Sequence, residues 1–326
     1  MRASVAGLSA LFVTIFASGS LPASAQDYPN RTVTIVAPSA PGGLYSLFSR
    51  LIGSKFEQRL GKSFVVENRP GAGSIVGMQS VARAAGDGYT LMVVNSTGMA
   101  ANVTLHKSLP YDPVADFVPI GLLAMVPEVL VVNAALPIQS IADLTSFARQ
   151  KGNLSFGSAG PGTTQHISGE MLKRALGINM THVPYKGMAP ALNDLTGGHI
   201  EMMFSPVPNS LPLIQAGKLR LLGVNTSQRM EAIPDARPLV ELGIKEFDVA
   251  SWFMLVAPVK TPKPIVDRLH AELRGFVNDP DVRQEYIKMG LVPVDSESPE
   301  KLKGFVRAEI ARWGDIVRRA GLAGME

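Results

Sequence analysis

Leu154-Ser155-Phe156-Gly157-Ser158-Ala159-Gly160-Pro161-Gly162-Thr163-Thr164-Gln165-His166 carries a short apolar strand through a Gly/Ser/Pro loop into a helix. The helix is expected over 163–176, where Ile167, Met171, Leu172 and Ala175 recur at helical spacing. Such a loop leaves backbone N–H groups without intrahelical partners and points them, with the positive end of the helix dipole, at one spot. Small residues let an anion come close. No Lys or Arg lies between Ser155 and Met171, so a bound anion is held by neutral donors, which suits a carboxylate. A glycine-rich turn without a ligand is the competing reading. Gly157 and Gly162 match the outer glycines of a phosphate-binding P-loop and Thr164 its hydroxyl residue, but Thr163 stands at the lysine position. Without that amine nothing neutralises a triphosphate, which argues against nucleotide binding.

The same pattern recurs upstream. A buried-type strand over 32–37 ends in Pro38-Ser39-Ala40-Pro41-Gly42-Gly43, and an amphipathic helix follows over 44–60. A strand over 64–67 leads through Asn68-Arg69-Pro70-Gly71-Ala72-Gly73 to a helix over 74–85. Gly71, Gly73 and Gly77 imitate a dinucleotide fingerprint, but the last gap is one residue too long. The next strand, 89–94, also lacks an acidic residue at its end to hold a ribose. A tight turn explains these glycines better. Asn95-Ser96-Thr97-Gly98 then forms a third polar loop, so three loops line one edge of a parallel sheet, where ligands of open α/β sheets settle.

Nearly continuous apolar residues over 118–132, broken by Pro127, read as a crossover into a second domain. There Ser140 N-caps a helix to about residue 151 with Asp143 at its third position. Strands over 154–156, 180–183, 200–204 and 219–224 alternate with helices over 163–176, 189–196 and up to 216, with turns at Pro184-Tyr185-Lys186-Gly187 and Ser205-Pro206. The apolar run 248–257 reads as the return crossover, followed by helices over 264–277 and 280–289. Ser298-Pro299 opens a last helix with Leu302, Phe305, Val306, Ile310, Trp313, Ile316 and Val317 on one face. The expected fold is α/β: two Rossmann-like lobes, 26–127 with 250–326 and 128–249, joined by two crossover strands with a hinged cleft between them.

The first residues read as a signal peptide over 1–25, with Arg2, an apolar stretch over 5–16 and Ala23-Ser24-Ala25 before a mature start at Gln26. The chain has no cysteine, which excludes disulfides, thiol catalysis, Cys-ligated zinc and a lipid-anchored N-terminus. Loss of Arg2 with the leader takes 31 basic residues to 30 against 27 acidic ones, an excess too small and scattered for nucleic-acid binding. About 300 mature residues suffice for two cores. No later stretch is apolar for long enough to cross a bilayer. A soluble exported protein is expected.

Several longer pieces carry a resemblance. They are Pro41-Gly42-Gly43, Glu67-Asn68-Arg69-Pro70-Gly71-Ala72-Gly73 and Leu109-Pro110-Tyr111-Asp112-Pro113 with Asp116-Phe117. Phe156-Gly157-Ser158-Ala159-Gly160 with His166 and Val183-Pro184-Tyr185-Lys186-Gly187 with Pro190-Ala191 follow. Asp194-Leu195-Thr196-Gly197-Gly198, Ala216-Gly217-Lys218-Leu219-Arg220 and Ser251-Trp252-Phe253 complete the set. Together they span the mature chain in order, and the chain resembles the Bug family, periplasmic solute-binding proteins of tripartite tricarboxylate transporters. The resemblance implies a two-lobed type II periplasmic-binding-protein fold that closes on a small carboxylate and delivers it to membrane transporter subunits. It implies a periplasmic location, a monomer and no cofactor or metal. It places one ligand carboxylate against residues 38–43 and 158–164, partly through water. Two departures stand out: the family often has Asp where Ser46 stands and an acidic residue where Ser205 stands. If those positions face the cleft, the ligand is a plain or doubly charged carboxylate rather than one bearing an amine.

Each candidate has a plainer counterpart. Ser158, Gly162, Thr163 and Thr164 are ligand donors or helix caps; Ser39, Gly43 and Ser46, like Ser96 and Thr97, are ligand donors or turn residues facing solvent. His166 faces the cleft or is a buried, hydrogen-bonded histidine; Tyr185 and Phe204 shape a pocket wall or pack a core. Ser205 marks a possible change of ligand class, Lys186 reads as a solvated charge, and Trp252 as hinge packing. Catalysis has little support. Ser158 sits one place too early for a nucleophile elbow, the five histidines form no zinc pair, and a Ser158–His166 hydrolase lacks a marked acid. A periplasmic partner of a membrane sensor kinase is the nearer alternative.

Overall fold

The computed structural model describes residues 28–245 and 247–325, so the leader over 1–25 and the start at Gln26 lie outside the described residues. The first lobe begins β1 (Val33–Ala37), α1 (Leu44–Leu60), β2 (Phe64–Asn68), α2 (Ile75–Ala82), β3 (Thr90–Asn95), α3 (Asn102–Leu105) and β4 (Phe117–Val126). The second runs β5 (Glu128–Asn133), α4 (Ile141–Lys151), β6 (Leu154–Ser158), α5 (Thr164–Leu176), β7 (Met180–Pro184), α6 (Met188–Gly197), β8 (Met202–Pro206), α7 (Val207–Gln215) and β9 (Leu219–Val224). The chain then returns with β10 (Ser251–Pro258), α8 (Lys263–Val277), α9 (Pro280–Lys288) and α10 (Pro299–Ala320).

Each lobe has one five-stranded sheet, ordered β2-β1-β3-β10-β4 and β7-β6-β8-β5-β9. The two share a plan: three parallel strands, then an antiparallel strand delivered from the other lobe, β10 in the first and β5 in the second. Crossover helices bury these strands on both faces, which is why they read as continuous apolar runs.

The first expected crossover does pass from lobe to lobe, and the second resolves differently. The run 118–132 is two strands in two sheets, divided at Pro127. Proline has no N–H for a ladder and a fixed φ, so pairing stops there and resumes in the other lobe. The run over 248–257 is mostly β10, which pairs with β3 and β4 inside the first sheet. The return passage is instead the irregular stretch between β9 and β10, with one 3-10 turn at Leu239–Leu242. The two connections are clasped at Asn225. Its Oδ1 accepts from Glu128 N at 2.8 Å, its N–H donates to Glu128 O at 2.9 Å, and its carbonyl accepts from Val249 N at 3.1 Å.

One apolar core runs through both lobes. It joins Val36, Met92 and Met254 of the first sheet to Leu130, Phe156 and Phe204 of the second, through Ile167 and Leu172 of α5 and Leu302, Val306, Trp313 and Val317 of α10. Smaller cores fill the remaining layer of each lobe. Trp252 is fully buried and donates to Glu309 of α10 at 2.6 Å, while Arg174 of α5 donates to the Ala320 carbonyl at 2.9 Å. The lobes are therefore bound together along the α5–α10 side.

Candidate functional site

In the first lobe the β1–α1 turn passes through Gly42 at φ 93 and enters α1 at Gly43, with no side chain capping the helix. Asn68, at the end of β2, holds the turn by donating to the Ser39 carbonyl at 2.9 Å and to Ser46 Oγ at 2.8 Å. Gly77 of α2 lies against this turn so closely that a Cβ there would meet the Pro38 Cβ at 2.7 Å. That contact, not a dinucleotide, accounts for the third glycine of the false fingerprint. Ser96 is buried and shares a hydrogen bond of 2.8 Å with Ser251 of β10, and buried Thr97 opens a wide π-type turn over Thr97–Ala101 where sequence gave only a loop.

In the second lobe the β6–α5 turn is built on imidazoles. Gly162 N–H donates to His166 Nδ1 at 3.1 Å, so that nitrogen is unprotonated and the ring's proton sits on Nε2. His182 of β7 stacks on His166 with ring centroids 3.8 Å apart, and Phe156 lies below. The parallel pairing of Phe156 with His182 puts them side by side. His182 Nε2 lies 2.6 Å from Ser158 Oγ, which also accepts from Gly160 N at 3.1 Å. Burial lowers the pKa of both histidines, and His182, with His166 beside it, is held down to about 4. The stack is neutral near pH 7.

Thr163 turns its hydroxyl back to the Gly160 carbonyl at 2.7 Å and does not cap α5. Thr164 Oγ1 and Gln165 Nε2 donate to Glu128 Oε1 at the start of β5. The Glu128 carboxyl is buried, and burial pushes its pKa up to about 7 against the pull of these donors.

The structure thus brings Ser158, Gly162, Thr163, Thr164 and His166 into one connected turn, and Ser39, Gly43 and Ser46 into another. Ser96 and Thr97 stand at the adjacent strand end. Ser205 lies within β8 and is buried, opposite Val129, next to the pairing of Pro206 with Glu128. Tyr185 is tied away into α6, its hydroxyl donating to Asp194 at 2.7 Å. His182 and Glu128 had no sequence signal, because each arrives from a neighbouring strand, while Asn68, Gln165 and Ser251 stood in the quoted stretches without a role assigned to them. The hydroxyl–imidazole pair is Ser158–His182 rather than Ser158–His166, and neither ring has a carboxylate partner among the described hydrogen bonds.

The lobes meet where the β2–α2 turn of the first approaches the β6–α5 turn of the second. A Cβ on Gly73 would lie 3.8 Å from the Pro161 carbonyl, and one on Gly162 would lie 3.2 Å from Leu105. Residues 71–74 reach this contact through four successive positive φ values, including Ala72 at 42° and Ser74 at 82°. A groove of about 490 Å³ has Gly42, Gly43 and Leu44 on one wall and Pro208, Asn209 and Pro212 on the other, so its second-lobe wall is α7 and not the β6–α5 turn.

Residues 48–322 match the family model described as tripartite tricarboxylate transporter family receptor. BugT of Bordetella pertussis is 32% identical, over 92% of this chain and 92% of its own. The structure of R. palustris Rpa4515 with adipate is 36% identical with a TM-score of 0.87, covering 91% of this chain and 99% of that one. MatC of Rhodopseudomonas palustris with bound malate is 33% identical with a TM-score of 0.82, covering 89% and 100%. A two-lobed α/β architecture, matched across nearly its whole length by such relatives, places this chain in the tripartite tricarboxylate transporter receptor family, together with the Bug proteins.

Proposed function

We propose that this chain captures a small organic carboxylate between its lobes in the periplasm and hands it to membrane subunits of a tripartite tricarboxylate-type transporter. The lobes that close are taken as 26–127 with 250–326 and 128–249. The reading rests on one observation above others: α1 and α5, the helices entered from the glycine turns after β1 and β6, have no side-chain cap. Their first amides are left to a ligand. A hydrogen bond to a charged group contributes about 1.5–3 kcal/mol, so four to six of them reach micromolar affinity after the cost of association. The adipate and malate held by the two related structures are of this chemical class. If Ser46 and Ser205 face the ligand, they offer no carboxylate to an amine, which favours dicarboxylates over amino acids.

A thermal-shift screen of dicarboxylates, hydroxy acids, aromatic acids and amino acids tests this. Ligand at about 100 times Kd adds about 2.7 kcal/mol of stability, and dicarboxylates are expected to give the largest shift. No shift with any carboxylate, or a clear preference for an amino acid, overturns the reading. Delivery to a transporter is tested by loss of carboxylate uptake on deleting the gene.

A further inference from the structure

We infer that Glu128 links carboxylate capture to proton uptake: the bound anion and the Glu128 carboxyl share the first turn of α5, and the site holds its ligand best when Glu128 is protonated. This rests on the capture reading above and adds a specificity element to it. Glu128 Oε1 takes the side chains of Thr164 and Gln165, whose backbone amides open α5, while its Oε2 is buried with no hydrogen-bond partner. An ionised carboxylate there has only neutral donors, Thr164, Gln165 and the approaching Ser168 hydroxyl, and no cation, whereas a protonated one has a hydrogen to give to Ser168.

The groups around it offer no counter-charge. On α5 they are Thr164, Gln165 and Ser168, whose hydroxyl approaches the carboxyl without another partner. The titratable residues further along α5 are engaged elsewhere, His166 with Gly162 and His182 and Glu170 with Lys173. From β8 the paired residue is Pro206, and from the strand connection it is Asn225, both uncharged. On α10, which packs against α5, Glu309 is already paired with Arg312. Among the described ion pairs none includes Glu128. Burial without a cation places its titration near neutrality. An anion arriving at the α5 amides disfavours the ionised form further, so a proton is taken up as ligand binds. Each unit by which the ligand raises that pKa is a tenfold change in affinity between the two protonation states.

The test is calorimetric titration with adipate and with malate, at about pH 6 and about pH 8, in two buffers of different ionisation enthalpy. For a rise of about one unit, wild type is expected to bind about fivefold more weakly at the higher pH and to take up roughly half a proton there. Glu128→Gln keeps the shape without the charge and is expected to take up none and to bind equally at both. Its folding is checked by its melting temperature. Binding without proton uptake, or equal uptake in Glu128→Gln, overturns the inference and leaves the capture reading intact. Failure of both proteins to bind any carboxylate at either pH overturns the capture reading and this inference with it.

Discussion

The glycine turns that enter α1 and α5 hold equivalent places in the two lobes and are held by different chemistry. The first-lobe turn is fixed by one neutral amide, Asn68, which does not titrate. The second-lobe turn is fixed by two stacked imidazoles and stands over a buried carboxyl. Equivalent positions in two similar lobes thus answer differently to acid and base. Of these two turns, the one whose hold depends on pH is that of the second lobe.

The strongest challenge to that contrast is Glu128→Gln. The folded pKa of Glu128, about 7, lies above its unfolded value of 4.5, so its contribution is full at low pH and is lost as pH rises from about 4.5 to about 7. The substitution should abolish that decline and raise stability at pH 8 by up to about 3 kcal/mol in urea unfolding. An unchanged pH profile would break the contrast. Gly169→Ala attacks the floor of the imidazole stack, because its Cβ would lie 2.1 Å from the Phe156 ring. Overpacking should cost about 1–3 kcal/mol and weaken ligand binding.

His182→Phe sharpens the acid side. The folded pKa of His182 is depressed, so its contribution is full above the unfolded value of 6.5 and is lost as pH falls through about 4. With the ring only part-buried, wild type should lose about 1–2 kcal/mol over that window and the variant should not, as measured by unfolding at the two ends. Asn68→Ala should cost about 1–2 kcal/mol equally at all pH, by the same measurement, and weaken binding as the first turn loosens. Smallest is Ser140→Ala at α4, whose hydroxyl accepts from Asp143 N at 3.1 Å: about 1 kcal/mol of stability, with ligand affinity unmoved.

What could be read from the sequence was whatever is encoded locally. Ser140 caps α4 as its spacing implies, the apolar face of α10 is the buried one, and both turns follow their strands. What could not be read depends on partners far along the chain. His182 is 24 residues from Ser158 and meets it only through the pairing of β6 with β7. Ser251 is 155 residues from Ser96. Pro127 looked like an interruption in one run because nothing local says that the residues on either side join different sheets. Ala72 and Ser74 give no warning of a left-handed turn, since neither residue type favours it. The pairing of Ser158 with His166 failed for the same reason: sequence nearness pointed to the wrong histidine.

The core shared along α5 and α10 makes the molecule resemble a book whose spine is glued rather than two blocks on a string. Opening can swing only the far edges apart, while the bound edge keeps its apolar contacts. Heat or denaturant should therefore melt both halves in one transition. Removing the last 22-residue helix would dissolve the second half as well as the first, although every sheet strand would still be present.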